Sequence, residues 1–209
     1  MSNQIRNIVF DMGNVLVRFD PWKYARRYGK NEPDSTLLYQ EVLCSKEWIA
    51  LDEGSLDVET AIQQCCDRLP VHLHNGVQGI LRHWHDDLPP IPGMDALCAE
   101  LWHQGYRLLL LSNTTRAFSE FSRHIAALRW FDGTLISAEY HLMKPDPEIF
   151  RLFCRKFSCS PQECFFVDDS AHNAYVAQTV GMSSMVFHGQ ADQVRQALFA
   201  CKAGRPARN

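Results

Sequence analysis

No apolar run in this sequence approaches the roughly 18 residues that a membrane-spanning helix needs, so no membrane partner is expected. No Cys-x-x-Cys pair occurs among the eight cysteines (44, 65, 66, 98, 154, 159, 164 and 201), which removes the usual grounds for a dithiol redox motif or a zinc ribbon. There is no excess of one charge. Twenty-one Lys and Arg face twenty-four Asp and Glu, a net of −3. The chain as a whole therefore does not advertise a nucleic-acid partner, although a local basic site for phosphate stays open. Internal repeats and low-complexity stretches are lacking too. The first ten residues are too short and polar for a secretory apolar segment. The thiols are accordingly expected to be reduced and the protein cytoplasmic. The pairs His72/His74 and His83/His85 carry no metal expectation, because an HxH on a helix points its rings to different faces.

What is present is ordinary for a globular chain: 209 residues, 46% hydrophobic and 22% charged. That length suits one medium domain, or one core with a smaller lobe inserted. Three short apolar runs each end in a polar cluster. Ile8-Val9-Phe10 ends in Asp11-Met12-Gly13-Asn14, Arg107 to Leu111 in Ser112-Asn113-Thr114, and Phe165-Phe166-Val167 in Asp168-Asp169-Ser170. They read as strands buried on both faces, which favours a parallel sheet. Weaker strands are expected at 133–136 and 184–187. Helical spacing separates them at 94–104, 147–157 and 174–180, with Pro and Gly at their limits. The alternation predicts an open, doubly wound α/β sheet. Residues 18–90 contain no good strand and read as amphipathic helices at 22–28, 35–48, 58–69 and 75–86. The expected organisation is therefore a core of 1–17 and 91–209 with a helical insertion at 18–90. The segment Gly204 to Asn209 is polar and expected to fray.

In open parallel sheets, ligands bind at the carboxyl ends of the strands. Asp11, Ser112-Asn113 and Asp168-Asp169 should then converge. A polar residue after one strand is usually only a turn, but three such ends of these types are a stronger signal. Several carboxylates at one point repel and call for a hard cation, and Mg²⁺ takes carboxylate, water and phosphate oxygens. A carboxylate can also attack phosphorus. The Ser112 hydroxyl and nearby N–H groups suit phosphate oxygens. Lys144, in Met143-Lys144-Pro145-Asp146-Pro147, offers a charge to offset the repulsion between nucleophile and phosphate.

These four segments, in this order across the whole chain, resemble the motifs of the haloacid dehalogenase-like hydrolases. The resemblance implies a Rossmann-like core with a helical cap inserted after the first motif. It implies Asp11 as nucleophile and metal ligand, Ser112 and Asn113 as phosphate-binding groups, and Lys144 as the charge-screening catalytic lysine. It further implies Asp169 as Mg²⁺ ligand, Asp168 as a supporting or alternate ligand, and Asn173 as the residue orienting the acidic loop. The implied partner is a small phosphorylated metabolite.

One position departs from the pattern. Phosphatases of the family usually carry a second Asp two residues after the nucleophile, as general acid. Here that place is Gly13, which keeps only a backbone carbonyl for the metal. The Asp-x-Gly-Asn-Val form is similar to a subgroup that includes bacterial α-D-glucose-1-phosphate phosphatase. Without a positioned acid, esters of more acidic hydroxyls should be favoured, hence sugar 1-phosphates over 6-phosphates. Two other readings compete. A 2-haloacid dehalogenase needs no metal or general acid, though the paired Asp168-Asp169 would repel its carboxylate substrate. A catalytically silent binding module on the same fold has only Gly13 in its favour. Substrate choice should lie in the insertion, where Trp22, Trp48 and the Asp52-Glu53-Gly54 turn are candidate contacts.

Overall fold

The computed structural model describes residues 4–201; Gly204 to Asn209, expected to fray, lie outside the described residues. Strand β1 (Asn7–Phe10) leads into a helical stretch holding α1 (Pro21–Tyr28), α2 (Glu32–Leu38), α3 (Lys46–Glu53), α4 (Val58–Arg68) and α5 (His74–His83). Then come α6 (Met94–His103), β2 (Arg107–Ser112), α7 (Phe118–Phe121), β3 (Gly133–Ile136), α8 (Ser137–Tyr140) and α9 (Pro147–Phe157). The chain closes with β4 (Cys164–Asp168), α10 (Ala171–Thr179), β5 (Ser183–Val186) and α11 (Ala191–Ala200). The five strands form one sheet in the order β3-β2-β1-β4-β5, and every pairing is parallel.

The apolar strand runs follow from burial on both faces. Ile8, Phe10, Leu108, Leu110, Phe165 and Val167 join one core with Met94, Leu97 and Leu101 of α6 and Val194 and Leu198 of α11. Val9, Leu109, Leu111 and Phe166 join the opposite core with Ile149, Phe150 and Phe153 of α9 and Ala177 of α10. Successive strand residues thus point to alternate faces, each covered by helices. Each of these large side chains, taken out of water, contributes about 1.5–3 kcal/mol before entropy is counted.

The helical stretch leaves and rejoins the sheet through a narrow neck. Arg18 N–H donates to the Pro89 carbonyl at 2.8 Å and Ile91 N–H to the Leu16 carbonyl at 2.9 Å. Tyr24 and Leu38 from this stretch pack, fully buried, with Val42, Leu73 and Ile80.

The helix expected over 35–48 is broken. After α2 the backbone widens into a π turn, Tyr39–Leu43, and then stops. Ser45 is extended (φ −80°, ψ 162°) and its Oγ accepts from Trp48 N–H at 3.1 Å, so it caps a new helix, α3. The apolar spacing carries through the break, which is why periodicity alone missed it; a serine that competes for backbone hydrogen bonds favours the cap over the helix interior. The helix α11 was not anticipated either.

The far end of α3 meets the core. Gly54 closes it in the left-handed region (φ +79°), and a Cβ there would stand 2.1 Å from the Ala138 carbonyl oxygen. Gly54→Ala is therefore expected to destabilise the protein by more than about 1 kcal/mol, the left-handed strain alone supplying that much. A urea unfolding midpoint equal to wild type would contradict this account of the contact.

Candidate active site

The parallel sheet carries its polar strand ends to one edge. Asp11 directly follows β1, Ser112 ends β2 and Asp168 ends β4. Asp11 N–H continues the ladder by donating to the Val167 carbonyl at 2.9 Å, which fixes Asp11 beside Asp168. Lys144 enters from the loop before α9. Its Nζ lies 2.8 Å from Asp11 Oδ1 and 2.7 Å from Asp168 Oδ2. It is only 4% exposed, so this ammonium is held almost out of water between two carboxylates.

Several side chains fix that arrangement. Asn113 Nδ2 donates to the Lys144 carbonyl at 2.7 Å while Lys144 N–H donates to Asn113 Oδ1 at 2.8 Å. The side-chain amide of Asn113, a residue expected among the substrate-binding groups, thus clamps the lysine's backbone. Asp168 accepts further bonds from Asn173 Nδ2 at 3.0 Å and Ser170 N–H at 2.9 Å. Asn173 thus orients the acidic loop, as its motif implied. The sequence reading missed Asn14. Its backbone is left-handed (φ 52°), a conformation Asn tolerates better than most residues. Its Oδ1 accepts from Phe19 N–H at 3.0 Å, and its side chain also hydrogen-bonds Asp169.

Burial pushes the Asp11 carboxyl up to about 6, opposed by the Lys144 charge and reinforced by Asp168. Burial disfavours the Lys144 ammonium, but Asp11 and Asp168 outweigh it and hold its pKa above the ordinary value. Desolvation and the Asp168 charge raise Asp169, against the hydrogen bond from Asn14. One carboxylate oxygen each from Asp11, Asp168 and Asp169 lies within 4.8 Å of the others. This all-oxygen, acidic donor set fits a hard divalent cation such as Mg²⁺. A sulfur cluster of Cys154, Cys159 and Cys164 sits at the other end of β4 and does not suit such an ion.

Asp11 and Lys144 face a cavity of about 120 Å³. Asp11, Gly13, Ser112, Asn113, Thr114, Lys144 and Asn173 line its floor, and Phe19, Trp48, Asp52, Trp84 and Leu88 line the side formed by the helical stretch. Of the candidate contacts, Trp48 and Asp52 are brought in. Trp22 is not among the lining residues: it stacks flat on Tyr39, ring centroids 4.1 Å apart. Phe19 and Trp84, which the sequence did not single out, complete an aromatic wall with Trp48 at centroid distances of 5.7–5.9 Å. Burial and the Asp11 charge push the Asp52 carboxyl up to about 7, against a hydrogen bond from the Trp48 side chain.

The family model for haloacid dehalogenase-like hydrolases matches residues 5–181, spanning all of these motifs. The chain belongs to that family. Among curated relatives, a D-ribitol-5-phosphate phosphatase of Bacteroides thetaiotaomicron is 28% identical over 90% of this chain and 94% of its own length. A sesquiterpene phosphatase of Aspergillus oryzae is 25% identical over 87% and 89%. Among solved structures, a family enzyme of B. thetaiotaomicron in complex with magnesium and inorganic phosphate superposes with a TM-score of 0.67 at 22% identity, over 88% of this chain and 95% of that one. An L-2-haloacid dehalogenase of Xanthobacter autotrophicus shares the fold as well, with a TM-score of 0.62 at 20% identity over 94% and 83%. The Rossmann-like α/β architecture expected from the sequence is that of the family.

Removing the buried ammonium would expose the repulsion it offsets. Lys144→Ala leaves Asp11 and Asp168 facing each other unpaired, and breaking a buried pair from one side costs about 3–5 kcal/mol. Urea unfolding in chelator should show a loss of that size, partly recovered on adding Mg²⁺ through mass action. Stability equal to wild type in chelator would mean that the carboxylates do not depend on Lys144.

Proposed function

We propose that this hydrolase is a magnesium-dependent phosphoric monoester hydrolase acting on small phosphorylated metabolites, sugar phosphates such as glucose 1-phosphate among them, through an aspartyl-phosphate on Asp11. The observation that carries the reading is the convergence of Asp11, Ser112, Lys144, Asp168 and Asp169 at one sheet edge. Residues 18–90 serve as a cap over the core formed by 1–17 and 91–209.

Asp11 supplies the nucleophilic oxygen. Lys144 lowers the repulsion between that carboxylate and the incoming phosphate and gathers the negative charge that concentrates in the transition state. The Ser112 hydroxyl and the backbone N–H groups beyond it hold phosphate oxygens, while Asn113 keeps Lys144 in place. Magnesium would be held by Asp11, the Gly13 carbonyl and Asp169, with Asp168 beside them, and would neutralise phosphate charge. Asp169 is the freer of the two acids, because Asp168 already accepts from Lys144, Asn173 and Ser170.

The substrate class rests on the size and lining of the site and on the relatives. The cavity of about 120 Å³ lies well below the roughly 300–1,000 Å³ of ordinary ligand pockets. That is room for a phosphoryl group and little more. Phe19, Trp48 and Trp84 offer flat apolar faces to the rest of the substrate, suited to the C–H face of a sugar ring. Two relatives are named for hydrolysing phosphate esters of a polyol and of a terpenoid alcohol, both small organic phosphates.

Two outcomes test this reading. Hydrolysis across a panel of sugar, polyol and aryl phosphates should vanish in chelator and return with Mg²⁺; full activity in chelator, or halide release from a 2-haloacid, would favour dehalogenation instead. Asp11→Asn should fold normally yet lose at least about a hundredfold in kcat, the scale of a lost positioned catalytic group. Beryllium fluoride, a phosphoryl mimic, should be trapped on Asp11 in the wild type and not in the variant.

A further inference from the structure

Gly13 leaves the phosphatase reading without a source for the leaving-group proton. A Cβ added at Gly13 would meet nothing within 4 Å, and Gly13 lines the cavity, so the direction in which an acid would extend beside the nucleophile is open. Among the residues lining that cavity, Asp52 is the one carboxyl besides Asp11. The other proton-bearing groups there suit the task poorly. Lys144 is held protonated by Asp11 and Asp168, and the hydroxyls of Ser112 and Thr114 and the indoles of Trp48 and Trp84 are far too weak as acids.

Asp52 is also held in place as a working group needs to be. It lies on α3, four residues after Trp48, so the two side chains share one helix face, and the Trp48 indole donates to its carboxyl. Its backbone is fastened to the core. Ser137 Oγ donates to the Asp52 carbonyl and accepts from Thr114 N–H at 2.9 Å, which ties Asp52 to the loop that begins at Ser112. Gly54 allows this approach by packing directly on Ala138. A buried acid with a purely structural role ordinarily pairs with a base. No basic side chain pairs with Asp52 among the described residues; the charged group acting on it is Asp11, and its pKa, near 7, lies where an acid–base group works best.

We propose that Asp52, delivered across the cavity by the cap, protonates the leaving oxygen and then serves as base for the hydrolytic water. The inference rests on the phosphatase reading above. An Asp11 oxygen attacks phosphorus, the bond from phosphorus to the ester oxygen breaks, and its electron pair passes to that oxygen, which takes the Asp52 proton. The alcohol departs and Asp52 is left as a carboxylate. Water then attacks the phosphorus of the aspartyl-phosphate and gives a proton to Asp52. The bond to Asp11 breaks with its electron pair returning to the carboxylate, and inorganic phosphate leaves. With the acid supplied in this way, Gly13 no longer gives sugar 1-phosphates a chemical advantage over 6-phosphates.

The test uses the full chain with Mg²⁺ and compares wild type with Asp52→Asn, which preserves the shape and the bond from Trp48. The esters are 2,4-dinitrophenyl phosphate, whose leaving group needs no proton, and the most active sugar or polyol phosphate of a panel. For the alkyl ester, kcat/KM should fall by about 10²–10⁴. For the dinitrophenyl ester kcat/KM should change by less than about threefold, while a burst of dinitrophenol shows the phospho-enzyme accumulating because its hydrolysis has lost a base. In the wild type, an aryl series should show a shallow dependence on leaving-group acidity, a readout that does not need the variant to fold. Equal losses on both esters, no loss on either, or a steep wild-type aryl dependence would each overturn the role of Asp52. A wild type inert toward every phosphate ester would overturn the phosphatase reading itself.

Discussion

The site is organised around one buried ammonium. Lys144, 4% exposed, touches Asp11 and Asp168 at 2.8 and 2.7 Å. A carboxylate or an ammonium alone in such surroundings would be driven toward its neutral form. Together they stay charged, and much of the neighbouring structure serves to keep them together. The ladder bond from Asp11 to Val167 sets the spacing of the acids, the Asn113 amide fixes the lysine's backbone, and Asn173 and Ser170 N–H fill the remaining acceptor sites of Asp168. Asp169 sits on the solvent side of this knot, held by Asn14 from the turn after the nucleophile. The division of labour between adjacent aspartates is therefore a matter of accessibility: one is consumed by the protein's own network, and the other remains open to a cation.

Much of this was legible in the sequence. Strands buried on both faces show as near-continuous apolar runs, and β1, β2 and β4 appeared at nearly their observed limits because little else explains Ile8-Val9-Phe10 or Phe165-Phe166-Val167. The polar residues ending those runs marked the sheet edge where Asp11, Ser112 and Asp168 meet. Local chemistry that interrupts a period was harder to see. Ser45 ends one helix and caps another within an unbroken apolar pattern, and only a preference for serine at caps could have flagged it. The aromatic wall was hidden for a different reason. Phe19, Trp48 and Trp84 come from three separate places between residues 18 and 90, and no sequence spacing tells which face of such a helical stretch will turn toward the sheet. Trp22 and Trp48 were alike as candidate contacts, yet one stacks on Tyr39 and is not among the residues lining the cavity, while the other lines it.

Residues 18–90 meet the rest of the chain at several places. Backbone bonds at 16–18 and 89–91 form the neck. Across the cavity, Ser137 joins the Asp52 carbonyl to the Thr114 amide. The first set lies where the chain enters and leaves. The second joins α3 to the loop that begins at Ser112. Beside it Gly54 packs on Ala138, and the rings of Trp84 and His85 lie against Phe121, so polar and apolar contacts together seat this stretch on the core.

That contact bears on an acid carried at position 52 rather than 13. An acid at position 13 would be in place whether or not the cap had closed, and the nucleophile could then act in a wet, open site. An acid at position 52 is present only when α3 is seated on the core. Proton donation then depends on that seating, and the leaving group must fit beneath Phe19, Trp48 and Trp84. A phosphate ester too large or too polar to let the cap seat could still meet Asp11 and Lys144, but its alcohol would have to leave as an alkoxide. Discrimination would thus fall on the chemical step as well as on binding, with the fit of the leaving group converted into the presence or absence of a proton.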